Sequence, residues 1–262
     1  MFGEISTQYK KYKNLIWMLA ITDFKLRYQN SFLGYIWALL QPLLLFMILN
    51  FVFSSLFASD GAIEYYALQL ITSLMIFLFF AESTSAGLRS LVSKSQLVTK
   101  IYVPRWTIIV ASTVNALLIF LSNLIVIAGF FAWYRFLPSF QSMVVFIFFV
   151  FMLYVGIIGF SLMVAPLFVR FRDLSMIWEV ITRALMYLCP ILYPLSLLPE
   201  QWHQYILLNP LAFIIHFNKE ALINNHFADL WQYAIFTIII IIIFILGVVF
   251  YNSQVKGVAE SI

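Results

Sequence analysis

The sequence predicts an all-α integral membrane protein with six transmembrane helices. It also predicts an N-terminal amphipathic interfacial helix and short re-entrant or interfacial helices on the outer side. Hydrophobic residues make up 64% of the 262 positions and charged residues 10%, whereas a soluble domain has roughly 45–50% and 25%. Stretches such as Ile238–Leu246 are apolar at every position, whereas the strands of a membrane barrel alternate apolar and polar residues. The composition therefore excludes a soluble globular protein, and the pattern favours helices.

Runs of sequence without Asp, Glu, Lys or Arg place the six spans. Four runs contain 32, 29, 34 and 26 residues, and each exceeds the roughly 20 residues that a helix needs to cross a bilayer. Two shorter runs of 17 and 16 residues become spans if each tolerates Glu82 or Arg183 near one end. We treat residues 1–262 as one transmembrane domain whose predicted spans are 33–57, 66–87, 107–133, 142–168, 176–194 and 230–252.

The distribution of Lys and Arg predicts the orientation. With both termini in the cytoplasm, the outer side holds two basic residues, Arg135 and Lys219, and Arg183 lies within a span. Lys and Arg concentrate on the cytoplasmic side of membrane proteins, so this count favours cytoplasmic termini. The inner side then holds the other 12 basic residues, namely Lys10, Lys11, Lys13, Lys25, Arg27, Arg89, Lys94, Lys100, Arg105, Arg170, Arg172 and Lys256.

Three segments outside the spans carry further patterns. Within residues 1–30, Tyr9, Tyr12, Ile16 and Leu19 fall on one side of a helix, which predicts a cytoplasmic amphipathic helix. This helix is either a plain membrane anchor or a helix that packs beside a pore mouth and contacts a partner. The loop 88–106 predicts one short helix ended by Pro104, either as a docking element for a soluble partner or as a connector.

The predicted outer segment, 195–229, is rich in aromatic residues and contains two prolines. Asn209 followed by Pro210 predicts a helix N-cap and first helical residue. The apolar stretch after it is too short to span a bilayer. We therefore expect two short helices that lie on or dip into the outer leaflet and form an outer vestibule, because irregular backbone at that depth needs cover from protein or water.

The chain contains no recognisable motif for its own energy source. None of its nine glycines precedes a lysine, so a phosphate-binding loop is absent. His203, His216 and His226 have no metal-ligand spacing, and we expect no cofactor, metal or nucleic acid. Glu179 and Arg183, four residues apart, predict a local helix ion pair.

One face of the first span carries a regular stripe. Phe46, Asn50, Phe53 and Phe57 are spaced by four, three and four residues, which places them on one side of a helix. Such a stripe serves either as packing or lipid contact, or as the wall of a path for sugars. Aromatic rings hold the apolar faces of sugars, and Asn50 offers a polar partner.

Three ordered blocks of sequence resemble the transmembrane subunits of ABC exporters for polysaccharides. The first reads RYQNSFLGYIWALLQP, the second VRFRDL, and the third CPILYPLSLLPEQWHQYILLNPL, in which Cys189 stands where Ser is more usual. The resemblance rests on Arg27, Tyr28, Ser31, Leu33, Gly34, Trp37, Pro42, Arg170, Arg172, Asp173, Leu174, Pro190, Tyr193, Pro194, Pro199, Asn209 and Pro210.

The resemblance implies a homodimer in the inner membrane of a bacterium, with two copies of an ATP-binding cassette ATPase that bind the ATP. The exported substrate would be a lipid-linked polysaccharide, such as an O-antigen or a teichoic acid. The family's first and fifth spans face the channel, which together with the stripe gives as channel-lining candidates Phe46, Asn50, Phe53, Phe57, Tyr187, Pro190 and Tyr193. A permease for small drugs or lipids and a non-transport membrane scaffold are the alternatives.

Two further groups of candidates follow from the same blocks. The inner gate and lipid-headgroup candidates are Arg27, Tyr28, Gly34 and Trp37. At the membrane edge an amphipathic ring and a close helix approach are useful, and an Arg can hold a pyrophosphate by paired hydrogen bonds. The candidates for coupling to the ATPase are Lys94, Lys100, Tyr102, Arg170, Arg172 and Asp173.

The basic-residue count makes a topological prediction. In a Cys189→Ser background, we expect a cysteine at Asn224 to react with an impermeant maleimide from outside the cell. A cysteine at Ser253 should react only after the inner face is opened, because cytoplasmic termini place it there. Labelling of the Ser253 position in intact cells would contradict the predicted orientation.

Overall fold

The computed structural model describes residues 2–29, 32–57, 65–100 and 103–255 of the chain, and these residues form helices and no strand. The prediction of an all-α protein is therefore confirmed. The helices in chain order are α1 (Phe2–Tyr28), α2 (Trp37–Phe57), α3 (Tyr66–Ser93), α4 (Ser95–Lys100), α5 (Arg105–Trp133), α6 (Phe140–Arg170), α7 (Leu174–Leu188), α8 (Glu200–Leu207), α9 (Pro210–Lys219) and α10 (Leu230–Gln254).

Five helices within the described ranges are long and apolar enough to cross a membrane: α2, α3, α5, α6 and α10. A sixth crossing arises only if α8 joins α9 and the π-helical turn Glu220–Asn224 in one broken span, and these two pieces meet at 113°. The chain is thus a multi-pass membrane protein.

The predicted fifth span, 176–194, is shorter in the structure than expected. It corresponds to α7, which has 15 residues and ends at Leu188. At a rise of 1.5 Å per residue it is about 22 Å long, less than the roughly 30 Å hydrocarbon core. The helix ends because Cys189 is extended, with φ −80° and ψ 145°, the backbone conformation that a following proline favours.

Helix α3 lies at the centre of the fold. Its most apolar stretch is 78% buried, against 17–28% for the other four candidate spans. Its buried residues include small and hydroxyl-bearing side chains, which let neighbouring helices approach closely. They include Thr72, Ser73, Ser83, Thr84 and Ser90. Helices α2, α5, α6, α7 and α9 all pack against α3.

Contacts between distant segments define two ends of the molecule. At the first, which we call the α1 end, the Tyr12 ring meets the Trp106 ring edge-on at 5.7 Å, and the Arg105 guanidinium donates to the Val255 carbonyl. At the opposite end, which we call the α9 end, the Ser142 hydroxyl donates to the Ala221 carbonyl over 2.5 Å. Helix α1 packs along α5, and its Tyr12 meets Trp106 at the start of α5, which gives this end its name.

Helices α6 and α10 cross at two glycines. A Cβ atom on Gly247 would lie 2.0 Å from the carbonyl oxygen of Gly159, and a Cβ on Gly159 would lie 2.5 Å from Cα of Phe244. Both clashes involve backbone, which no side-chain rotation can relieve. The crossing therefore requires glycine at both positions, as close helix approaches in membranes commonly do.

We expect Gly247→Ala to destabilise the protein by about 1–3 kcal/mol, because an added methyl group forces the two backbones apart. The readout is the thermal unfolding midpoint of the detergent-purified chain. Gly129→Ala is the matched control, since a Cβ at Gly129 meets nothing within 4 Å and Ala is the better helix former. Equal changes in both variants would contradict the tight crossing.

Candidate functional site

Two ion pairs join α1 to α3 and to the residue that precedes α4. Helix α1 supplies the acidic residue in one pair and the basic residue in the other. Asp23 of α1 pairs with Lys94, and Arg27 of α1 pairs with Glu82 of α3. Asp23 and Arg27 are four residues apart and so share one helix face. The Lys94 and Asp23 side chains are 13% and 26% exposed, so solvent and salt screen this pair less than they screen a surface pair.

The loop between α3 and α5 contains a short helix, α4, as the sequence predicted. Lys94, one of the six coupling candidates, is paired with Asp23 directly before this helix. The side chain of Lys100 and the whole of Tyr102 lie outside the described residues. The ion pair therefore connects α1 to the residue of the candidate docking loop that joins α3 to α4.

The remaining coupling candidates lie on the turn between α6 and α7. Arg170, Arg172 and Asp173 are all exposed, and the Arg172 guanidinium lies 5.6 Å above the centre of the Phe168 ring. The side chain of Phe168 packs in a cluster with Leu88 near the α1 end of α3. The exposed turn and the docking loop thus belong to the same end of the molecule.

The inner-gate candidates lie where α1 leads into α2: Arg27 and Tyr28 end α1, Gly34 lies in the turn, and Trp37 begins α2. Gly34 has φ +50°, and a Cβ there would meet nothing within 4 Å. The described residues therefore show no close helix approach at Gly34, and the left-handed backbone is the reason that glycine suits this position. Trp37 is 39% exposed, and the side chain of Tyr28 lies outside the described residues.

The structure places the aromatic stripe of α2 against the protein's own core. Phe46 is 3% exposed and its ring meets the Phe130 ring edge-on at 4.9 Å. Asn50 has a buried Oδ1 without a hydrogen-bond partner, and Phe53 packs on the edge of the core. The side chain of Phe57 lies outside the described residues. The exposed face of α2 carries instead Met47, Ile48, Phe51 and Val52.

The exposed face of α7 is largely apolar but carries one ion pair. The pair predicted from sequence is confirmed, with Arg183 Nη2 lying 2.6 Å from Glu179 Oε1. On the other face of the helix, the Trp178 indole donates to Thr84 Oγ1 of α3 over 3.1 Å. Around the ion pair the exposed side chains are Met176, Ile177, Val180 and Ile181.

The last turn of α7 and the segment after it hold three channel-lining candidates close together. Tyr187 is exposed, Pro190 is buried and Tyr193 is half-buried. The Tyr193 hydroxyl donates to the Tyr187 carbonyl over 3.0 Å and to the Leu188 carbonyl over 3.3 Å. Tyr193 therefore folds back over the last turn of α7 and caps its free carbonyl groups.

Lys219 is a structural residue that the sequence argument did not identify. Its side chain is buried, and Nζ donates to the Pro190 carbonyl over 2.7 Å and to the Tyr193 carbonyl over 3.2 Å. The predicted start of α9 is confirmed, since Asn209 Oδ1 accepts from the Leu211 amide over 3.0 Å. A lysine at the end of a short, mainly apolar helix was the available signal, because a buried ammonium requires partners.

Comparison with known proteins identifies relatives over most of the chain. The family model described as ABC-2 type transporter matches residues 14–222. The O-antigen export system permease protein RfbA of Klebsiella pneumoniae is 30% identical over 222 residues, which are 81% of each chain. A protein of the same name from Myxococcus xanthus is 23% identical over 82% of each chain. The polysialic acid transport protein KpsM of Escherichia coli is 22% identical over 93% of this chain and 94% of its own.

We expect Lys219→Met to loosen the segment after α7, because two carbonyl groups lose their donor at about 1–3 kcal/mol each. Cys189, the one cysteine of the sequence, is buried within this segment and reports on its opening. The rate at which Cys189 reacts with a maleimide should rise by about tenfold or more. Arg183→Met, which removes an exposed cation, is the control, and an unchanged rate in Lys219→Met would refute the structural role.

Proposed function

The chain belongs to the ABC-2 type transporter family, and we propose that it is the permease subunit of an ATP-driven exporter of lipid-linked polysaccharide. The observation that carries this proposal is the similarity to an O-antigen export permease over 81% of both chains. The polysialic acid transport protein points to the same class of substrate. The polymer would be of the O-antigen or teichoic-acid type.

The ATP would be hydrolysed by a separate partner, an ATP-binding cassette subunit present in two copies. In this proposal α4 and the turn between α6 and α7 dock on that subunit, since both belong to the α1 end. The basic residues of the sequence favour a cytoplasmic position for this end, in the inner membrane of a bacterium. The Asp23–Lys94 pair would then transmit movement of the docking loop to α1.

The translocation path would be shared between two copies of the chain. Helices α2 and α7 each leave one face exposed, and a second copy would cover these faces. Tyr187 and Tyr193 then border the path at the α9 end. Pro190 is buried and would line the path only if the segment after α7 opens, and Asn50 and Phe53 only if α2 turns from the core. Sugar hydroxyls in a dry path would cost several kcal/mol each, so this proposal requires the path to admit water.

Purification of the intact complex tests this function. The chain, co-expressed with its ATPase, is extracted in detergent, and the bound lipids are identified by mass spectrometry. We expect a lipid-linked sugar polymer in the complex and its accumulation inside cells that lack the permease. A complex that retains only small amphiphiles would indicate a drug or lipid permease instead, and failure to co-purify with any ATPase would indicate a scaffold.

A charge exchange tests the coupling of α1 to the docking loop. Asp23→Lys and Lys94→Asp should each lower polymer-stimulated ATP turnover several-fold, because each places like charges in contact. The double variant restores opposite charges, and we expect it to recover most of the turnover.

Lys25→Glu is the control for charge reversal as such, since Lys25 lies exposed on α1 two residues from Asp23. Its turnover should match that of the double variant. If the Asp23–Lys94 double variant is as impaired as the worse of its single variants, the pair does not transmit coupling.

A further inference from the structure

A slot separates α2 from the two helices behind it. It has a volume of about 440 Å³ and lies between α2, α3 and α5, with Arg27 at one end. On each helix the lining residues lie within eight positions, from Ala38 to Leu45, from Leu78 to Ser85 and from Ala116 to Asn123. The seven residue steps between the first and the last position correspond to about 10 Å along a helix. The slot therefore runs parallel to the helices for about two turns.

The slot is charged at one end and apolar along its walls. Helices α2 and α5 run away from the α1 end and α3 runs towards it, so Ala38, Ser85 and Ala116 lie nearest that end with the Arg27–Glu82 pair. The Arg27 and Glu82 side chains are 38% and 40% exposed, so this is the open mouth. The inner walls are formed by buried or half-buried residues, among them Leu45, Leu78, Phe79, Ile119 and Phe120.

The deep end of the slot contains an unsatisfied polar group. Asn123 is 5% exposed and lines the slot, and none of the described residues donates a hydrogen bond to its Oδ1. A buried acceptor without a donor is costly, and neither an alkyl chain nor an ester can donate to it. A water molecule admitted beside an occupant would supply the donor that this oxygen needs.

We propose that this slot binds a zwitterionic phospholipid with a primary ammonium group, of the phosphatidylethanolamine type. The phosphate accepts from Arg27 and the ammonium donates to Glu82 at the mouth. The glycerol ester region follows just below the mouth, and part of one acyl chain lies between α2 and the phenylalanines of α3 and α5 and extends towards Asn123. A volume of this size falls within the range of small-molecule pockets.

The charges at the mouth distinguish between lipid classes. Arg27 and Glu82 present one positive and one negative group, and the phosphoethanolamine headgroup presents their complement, so binding adds no net charge. An anionic lipid would place its phosphate beside the Glu82 carboxylate, and a pyrophosphate would do so with more charge, which like-charge contact disfavours. A choline headgroup has no N–H to donate to the carboxylate, so the primary amine is preferred.

The test measures which lipid the purified full-length chain retains. The chain is delipidated in detergent and offered equal amounts of phosphatidylethanolamine, phosphatidylcholine and phosphatidylglycerol, and retained lipid is counted by native mass spectrometry. We expect phosphatidylethanolamine to exceed each of the others by about tenfold. Equal retention of the three, or a preference for phosphatidylglycerol, would overturn the proposal. No ATP or polymer is present, so the result is independent of the proposed transport function.

Two variants locate the site. Glu82→Gln keeps the size of the side chain and removes the ammonium partner, so the preference for phosphatidylethanolamine over phosphatidylglycerol should fall to near unity. Ala116→Phe fills the slot and should abolish retention. Glu179→Gln, which breaks an exposed ion pair outside the slot, should retain the lipid as the parent chain does.

The thermal unfolding midpoint establishes that each variant is folded. If Ala116→Phe does not fold, Glu82→Gln decides the matter, since it adds no volume. A Glu82→Gln variant that keeps the full preference for phosphatidylethanolamine would overturn the proposal.

Discussion

Burial of α3 is the constraint on which the rest of the structure depends. Three other parts of the chain are attached to this one helix by polar contacts. Glu82 pairs with Arg27 of α1, Thr84 accepts from Trp178 of α7, and the Tyr66 hydroxyl donates to the Leu192 carbonyl over 3.0 Å. In lipid the apolar surface of a helix gives no preference for one neighbour over another, so such contacts and small residues set the packing. A shift of α3 would therefore displace the residues bonded to it on α1, on α7 and at the α9 end.

Irregular backbone at the α9 end shows how the fold satisfies polar groups within a membrane protein. The segment from Pro190 to Tyr193 has no helical hydrogen bonds of its own, and three of its carbonyl groups accept from side chains elsewhere. Lys219 serves Pro190 and Tyr193, and Tyr66 serves Leu192. Non-helical backbone at this depth is tolerated where protein covers it. The buried ammonium and the unwound segment thus require each other.

Hydropathy and local motifs were sufficient to predict the helical class, the positions of the long apolar helices, the Asn209 cap and the Glu179–Arg183 pair. These features depend on residues a few positions apart. The pairing of Arg27 with Glu82 joins positions 55 residues apart, and no periodicity indicates it. Nor does hydropathy reveal which span is buried, since α3 has the lowest mean hydropathy of the five candidates yet the most burial. The stripe of α2 was recognised as one face, but periodicity does not say whether a face meets the core or a path.

The exposed face of α7 bears most directly on where a path would run. Glu179 and Arg183 are 54% and 75% exposed, and ionisable groups rarely face lipid within a membrane. The neighbours Ile177, Val180 and Ile181 are apolar and exposed, and contact with water alone would be unfavourable for these side chains. A face that combines charged and apolar residues suits a boundary between a second helix and a water-filled space. Helix α7 has 15 residues and ends at Leu188, so Tyr187 lies on its last turn and Tyr193 follows just beyond it. In the proposed homodimer this face therefore borders the path, whereas the wholly apolar face of α2 with Met47 and Phe51 meets helix or lipid.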